Sequence, residues 1–78
     1  ANTVLRSINL PGGSICVDLF QRPDGSFGFD EFRRDTEDGR GWFSIGHHGH
    51  LTFDSATAAL DAARLSVGWL GDVLGPAE

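Results

Sequence analysis

The sequence predicts an α+β fold in which an antiparallel sheet of three to four strands packs on one C-terminal helix. Two periodicities support this prediction. Apolar and polar residues alternate in short runs over the first half of the chain, which is typical of strands with one buried face. From Ser55 to about Leu74 the apolar residues recur instead at helical spacing. With 78 residues, the chain has room for one domain, covering residues 1–78.

The first segment, from Thr3 to Leu10, has only a weak alternation. Val4, Ile8 and Leu10 lie on one side, so the segment fits either an additional N-terminal strand or a loosely attached terminus. Pro11-Gly12-Gly13 ends it, because proline fixes φ and glycine reaches positive φ.

A β-hairpin comes next. The range from Ser14 to Arg22 forms its first strand, and the range from Phe27 to Arg34 forms the returning strand. Pro23-Asp24-Gly25-Ser26 is a turn in which proline presets the first corner, aspartate favours the second and glycine takes the left-handed position. The alternation assigns five residues of this hairpin to the core face: Ile15, Val17, Leu19, Phe27 and Phe29.

The remaining extended segments follow a polar loop from Asp35 to Gly41. The range from Trp42 to Gly46 is predicted to be the third strand, with Phe43 and Ile45 on the core side. His47-His48-Gly49 then makes a tight turn, and His50 to Phe53 runs briefly extended into the helix. The face opposite the core carries three aromatic residues and is a second candidate contact surface: Phe20, Phe32 and Trp42.

The helix is expected to begin at Asp54 or Ser55, whose side-chain oxygens can cap its N-terminus. Gly71 and Gly75-Pro76 end it or let it fray. One apolar stripe faces the sheet and contains seven residues: Ala56, Ala59, Leu60, Ala63, Val67, Leu70 and Leu74. A second stripe lies almost on the opposite side and contains five: Ala58, Ala62, Leu65, Trp69 and Val73.

Two apolar stripes are more than one small core needs, so the second stripe predicts a partner surface. Alternatively, the N-terminal segment of the same chain covers the second stripe, since its residues Val4, Leu5 and Ile8 also need something to pack on. In that case Ala58 and Leu65 are covered internally, and Trp69 and Val73 make the contact with a partner. The residues predicted to bind a partner are therefore Leu65, Trp69 and Val73, with Phe32 and Trp42 as a second patch.

The charge of the chain narrows the class of partner. The chain contains eleven acidic residues and six basic ones, all of them arginine, which gives a net charge of −5. This balance argues against nucleic acid, which normally requires a basic surface. No apolar run is long enough to span a membrane, and Cys16 is a lone cysteine predicted to be a small buried hydrophobic residue. These features predict a cytoplasmic protein.

His47, His48 and His50 form the one candidate metal site, because neutral imidazole is a common metal ligand. The alternative is a solvated turn. It is favoured because structural zinc sites normally take four ligands from spaced pairs of residues, and the sequence lacks such pairs. Asp30 and Glu31 point to opposite faces of a strand and do not form a catalytic pair. No motif for nucleophilic catalysis or phosphate binding occurs. The sequence therefore predicts no enzyme and no cofactor.

Two short stretches resemble known families. From Trp42 to Leu70, a strand, a cap at Ser55 and a closing Trp69-Leu70 resemble bacterial antitoxins with a shortened RNase H-like fold, which implies a basic toxin as partner. Thr52-Phe53-Asp54-Ser55 is similar to the segment before the helix of the plant ethylene-response DNA-binding domain. That domain's arginine-rich sheet face is replaced here by Asp18, Asp30 and Phe32. The whole plan resembles small bacterial strand–strand–strand–helix domains of unknown function.

The sequence thus predicts a protein-interaction module whose biochemical function it does not specify, with self-association as one form of that interaction. One alternative is an antitoxin-like regulator that binds a basic toxin. The other is a metal-responsive protein that uses the turn from His47 to His50.

Overall fold

A computed structural model describes residues 1–35, 37, 39 and 41–76. Its strands are β1 (Thr3–Asn9), β2 (Ile15–Gln21), β3 (Phe27–Arg34) and β4 (Trp42–Ser44), and its helices are α1 (Ala56–Ser66) and α2 (Leu70–Leu74). The strands form one antiparallel sheet in the order β1-β2-β3-β4. The predicted α+β fold class is therefore confirmed, with four strands. The predicted loop from Asp35 to Gly41 includes Thr36, Asp38 and Arg40, which lie outside the described residues.

The N-terminal segment is a strand. β1 pairs with β2 from Thr3↔Gln21 to Asn9↔Cys16, and the register shifts between Val4 and Arg6. Such a bulge bends an edge strand locally. Ile8 is the one buried residue of β1, so this strand is attached mainly through its hydrogen bonds to β2.

The hairpin turn has the predicted geometry. The Gly25 N–H donates to Arg22 O at 2.9 Å, and the Arg22 N–H donates to Ser26 O at 2.8 Å. Gly25 has a φ of 90°, which is a conformation that glycine adopts without strain. The Asp24 carboxylate accepts from the Ser26 N–H at 2.9 Å and so fixes the corner. This turn sets the register in which Asp18 lies opposite Asp30.

The core lies between the helices and one face of the sheet. Ser55 caps α1, because its Oγ accepts a hydrogen bond from the Ala58 N–H at 3.0 Å. The first predicted helical stripe is confirmed, since all of its residues belong to the core or pack against it. The buried core residues are Ile8, Val17, Leu19, Phe29, Ala59, Ala63, Val67 and Leu70.

Phe43 and Ile45 are wrongly assigned to the core by the sequence. They are 46% and 36% exposed, although Phe43 lies opposite Arg33 on the face that carries the helices. α1 packs mainly on β2 and β3, and β4 is a three-residue edge strand beyond them. The helix therefore does not reach far enough across the sheet to bury these side chains.

The single helix predicted from Ser55 to Leu74 is also wrong, because the chain leaves the helical conformation between Ser66 and Leu70. Val67 adopts an extended conformation, and its N–H still donates to Ala63 O. Gly68 follows, and glycine is a poor helix former. Val67 and Leu70, on either side of the break, are both in the core, and the second stripe does not lie along one continuous helix.

Candidate functional site

One face of the sheet carries no helix, and we call it the open face. Its residues are paired across the strands in the observed register and alternate with those that face the core. The residues of the open face are Val4, Ser7, Asn9, Cys16, Asp18, Phe20, Gly28, Asp30, Phe32, Arg34, Trp42 and Ser44. This face is the candidate functional site.

Two adjoining cavities follow the open face. One of about 300 Å³ extends from Asn2 and Val4 to Gly49, and one of about 370 Å³ extends from Ser7 and Asn9 to Trp42. Asp18 and Phe32 line both cavities. The two cavities therefore form one shallow groove across all four strands, with a carboxylate and an aromatic ring at its centre.

Arginine side chains cover two of the aromatic rings on this face. The Arg22 guanidinium lies 5.0 Å from the centre of the Phe20 ring, and the Arg34 guanidinium lies 5.1 Å from the centre of the Trp42 ring. Both distances fall within the range of cation–π attraction. Phe32 lies between the two pairs along the sheet, and no arginine among the described residues is stacked on it.

Asp30 is buried beneath the groove, with 7% of its surface exposed. Its oxygens accept hydrogen bonds from Ser44 Oγ at 2.7 Å, from the His48 N–H at 3.1 Å and from the Glu31 N–H at 2.8 Å. Burial by itself raises the pKa of Asp30, but these hydrogen bonds favour the ionised form more strongly and leave the pKa below its usual value. Asp30 is therefore a negative charge at neutral pH that also attaches β4 and the following loop to β3.

Asp18 lies opposite Asp30 in the register and is only half-buried. Ser7 Oγ donates to Asp18 Oδ1 at 2.5 Å, and the Cys16 thiol donates to the same oxygen at 3.9 Å. Among the described residues, no hydrogen bond is donated to Asp18 Oδ2. Two carboxylates placed side by side concentrate negative charge in the groove, which costs stability unless a cation approaches them.

Cys16 is buried on the open face beside Asp18. Burial, the charge of Asp18 and the hydrogen bond to Asp18 raise the pKa of the Cys16 thiol to about 11. The thiol stays protonated at neutral pH, and thiols in this state are poor nucleophiles. The predicted burial of Cys16 is confirmed.

Sequence reasoning missed Arg22. Its guanidinium donates to Phe27 O at 3.1 Å, to Gly49 O at 2.6 Å and to Leu51 O at 3.0 Å. These bonds join the loop after β4 to the hairpin and so shape one end of the groove. Backbone carbonyls of distant residues leave no pattern in a sequence, and only the position of Arg22 beside the turn was available as a signal.

Four of the five predicted partner-binding residues fall on two separate surfaces. Phe32 and Trp42 lie on the open face. Leu65 and Val73 lie on the helices, where they are 90% and 40% exposed. The internal cover expected for Leu65 is therefore wrong: β1 lies at the edge of the sheet and leaves this position on α1 in solvent.

Trp69, the fifth of these residues, is half-buried. Its ring packs against the core, and its Nε1 donates to Glu31 Oε2 at 2.8 Å. The break after α1 turns the indole toward the sheet. A role in binding a partner stays a prediction for this residue.

The three histidines do not converge. His48 packs its ring 5.1 Å from that of Phe29, whereas His47 and His50 are exposed. Within the part of the chain that the structure describes, no group of three histidine, cysteine, aspartate or glutamate residues could hold a metal ion. In the same ranges, no helix is both long and apolar enough to cross a bilayer.

Comparison with known proteins yields no relative. No protein-family model matches the chain, and no curated protein or solved structure is significantly similar to it.

Proposed function

We propose that this chain is a protein-interaction module whose open face binds a positively charged polypeptide segment. The observation that carries the proposal is the groove over Asp18 and Phe32, which combines negative charge with aromatic surface. Exposed apolar surface that is rimmed by polar groups, as around Phe32 and Trp42, marks protein-interaction sites.

The net charge of the chain also favours a positively charged partner. A net charge of −5 attracts a basic partner over a distance of about one Debye length and accelerates its association. A basic toxin, as implied by the antitoxin resemblance, is one partner of this type. Cys16 is the one cysteine of the chain and is free, which fits a reducing compartment, so we propose a cytoplasmic location.

Binding rather than catalysis is favoured by the state of the polar groups. Asp30 has its oxygens occupied by three hydrogen bonds, and the Cys16 thiol is protonated at neutral pH because its pKa is about 11. Neither group is poised to exchange a proton near neutrality, as acid–base catalysis requires.

Two adjacent residues of β4 provide a matched test. Trp42 lies on the open face and Phe43 on the opposite face, with 42% and 46% exposure. Trp42→Ser should weaken the binding of a short arginine-rich peptide in isothermal titration calorimetry, and Phe43→Ser should leave it unchanged. Added salt should weaken binding to the unaltered chain. Equal effects of the two substitutions, or salt-independent binding, would refute the proposal.

Self-association is a second candidate function, and Leu65 favours it. Its side chain is 90% exposed on α1. Burial of this apolar surface against a second copy of the chain would stabilise a dimer. Sedimentation velocity should then show a concentration-dependent dimer that Leu65→Gln abolishes. Thr57→Gln, on an exposed position of the same helix, is the control. A monomer at all concentrations would remove this candidate.

A further inference from the structure

The centre of the groove combines a carboxylate oxygen with an aromatic ring. Asp18 and Phe32 occupy diagonal positions on neighbouring strands, since Asp18 lies opposite Asp30 and Phe32 lies opposite Cys16. Diagonal neighbours of a sheet are roughly 7–8 Å apart, within reach of one long side chain. A single side chain entering the groove can therefore contact both residues.

The open face already binds guanidinium groups to aromatic rings twice. Arg22 covers Phe20 and Arg34 covers Trp42, at 5.0 and 5.1 Å. A guanidinium is planar, so its face can stack on a ring while its edge donates hydrogen bonds to a carboxylate. The compact ammonium group of lysine does not combine these two contacts equally well.

We propose that the groove recognises an arginine side chain of the partner, whose guanidinium stacks on Phe32 and donates to Asp18 Oδ2. This inference rests on the proposed function and specifies its ligand. Asp30 adds negative charge beneath the site, but its hydrogen bonds to Ser44, His48 and Glu31 already occupy its oxygens. Asp18 is therefore the residue that recognises the guanidinium, and Asp30 is a positioning residue that holds the wall of the groove.

Three small probes test the ligand chemistry. N-acetyl-arginine amide, N-acetyl-lysine amide and N-acetyl-citrulline amide are titrated into ¹⁵N-labelled protein, and amide chemical shifts are recorded. Arginine should shift the amides of Asp18 and Phe32 at the lowest concentration, lysine should require more, and citrulline, which lacks the charge, should have no effect. Equal shifts with citrulline and arginine would overturn the inference.

Two matched variants test the residues. Asp18→Asn should weaken the binding of an arginine-rich peptide by about tenfold or more, because a hydrogen bond to a charged group is lost. Asp61→Asn removes the same charge from an exposed position on α1 and should have little effect. Phe32→Leu keeps an apolar side chain and should reduce the preference for arginine over lysine.

The outcomes separate this inference from the proposed function. If the peptide shifts open-face amides but Asp18→Asn binds it as tightly as Asp61→Asn does, the arginine site is wrong and the open face remains the binding surface. If the peptide shifts no open-face amide, both are wrong. If Asp18→Asn does not fold, Phe32→Leu provides the test. An unchanged preference for arginine over lysine in Phe32→Leu would then overturn the arginine site.

Discussion

Arg22→Ala should release the loop after β4 from the hairpin and expose the Phe20 ring. The variant loses hydrogen bonds to Phe27 O, Gly49 O and Leu51 O and a cation–π contact. Hydrogen bonds from a charged group contribute ~1.5–3 kcal/mol each. Arg22 is half-buried, and water can replace part of what is lost, so we expect a net decrease of about 2–4 kcal/mol in the free energy of unfolding.

This decrease is large for so short a chain, whose total stability is expected to be roughly 4–12 kcal/mol. Urea unfolding followed by tryptophan fluorescence gives the difference. Arg33→Ala removes the same charge from an exposed position of β3 and should change the stability by less than ~0.5 kcal/mol. Arg22→Lys keeps the charge without the planar fork and should recover only a minor part of the loss. If Arg22→Ala unfolds within ~0.5 kcal/mol of the unaltered chain, the described role of the guanidinium is wrong.

Three further predictions concern the core, the acid limb of stability and the thiol. Phe29→Ala, at a fully buried position, should cost about 3–5 kcal/mol in urea unfolding, whereas Phe43→Ala, at an exposed position of β4, should cost much less; similar losses would contradict the observed core. The pKa of Asp30 is lowered in the folded state, so its contribution to stability is complete above its unfolded pKa of about 3.8 and is lost as the pH falls through the lower folded value. Asp30→Asn should therefore make the free energy of unfolding less dependent on pH under acidic conditions. An unchanged pH dependence would refute this. The Cys16 thiol, with its pKa raised to about 11, should react with a thiol reagent much more slowly in the native protein at pH 8 than in urea, and equal rates would contradict its burial.

The features that the sequence predicted correctly are set by neighbouring residues. The turn around Gly25 depends on four consecutive residues, and the cap at Ser55 depends on the N–H of Ala58. The stripe containing Ala59 and Ala63 follows from helical periodicity alone. Local chemistry fixes each of these features, so they can be read from a short window of sequence.

The features that it missed depend on where elements lie relative to one another. Phe43 has the alternation of a core residue, but its burial depends on how far α1 extends across the sheet. The indole of Trp69 is held by Glu31, 38 residues away along the chain. Asp30 lies on the face away from the helices and is nevertheless buried, because the loop after β4 brings the His48 N–H to its carboxylate, and the sequence does not place this loop.

The candidate site was predicted only in part for the same reason. Alternation placed Phe32 and Trp42 on one face, which the register confirms. The pairing of Asp18 with Asp30 required the register of β2 against β3, which no single strand contains. The arginines that cover Phe20 and Trp42 depend on side-chain directions, and sequence spacing does not determine these.

The most direct test of the proposed function is an amide chemical-shift map of ¹⁵N-labelled protein titrated with the arginine-rich peptide. The largest changes should lie on the open face, at Asp18, Phe32 and Trp42, and should diminish as salt is added. Changes concentrated on the helices at Leu65 and Val73, or no changes anywhere, would contradict the assignment of the open face as the binding surface.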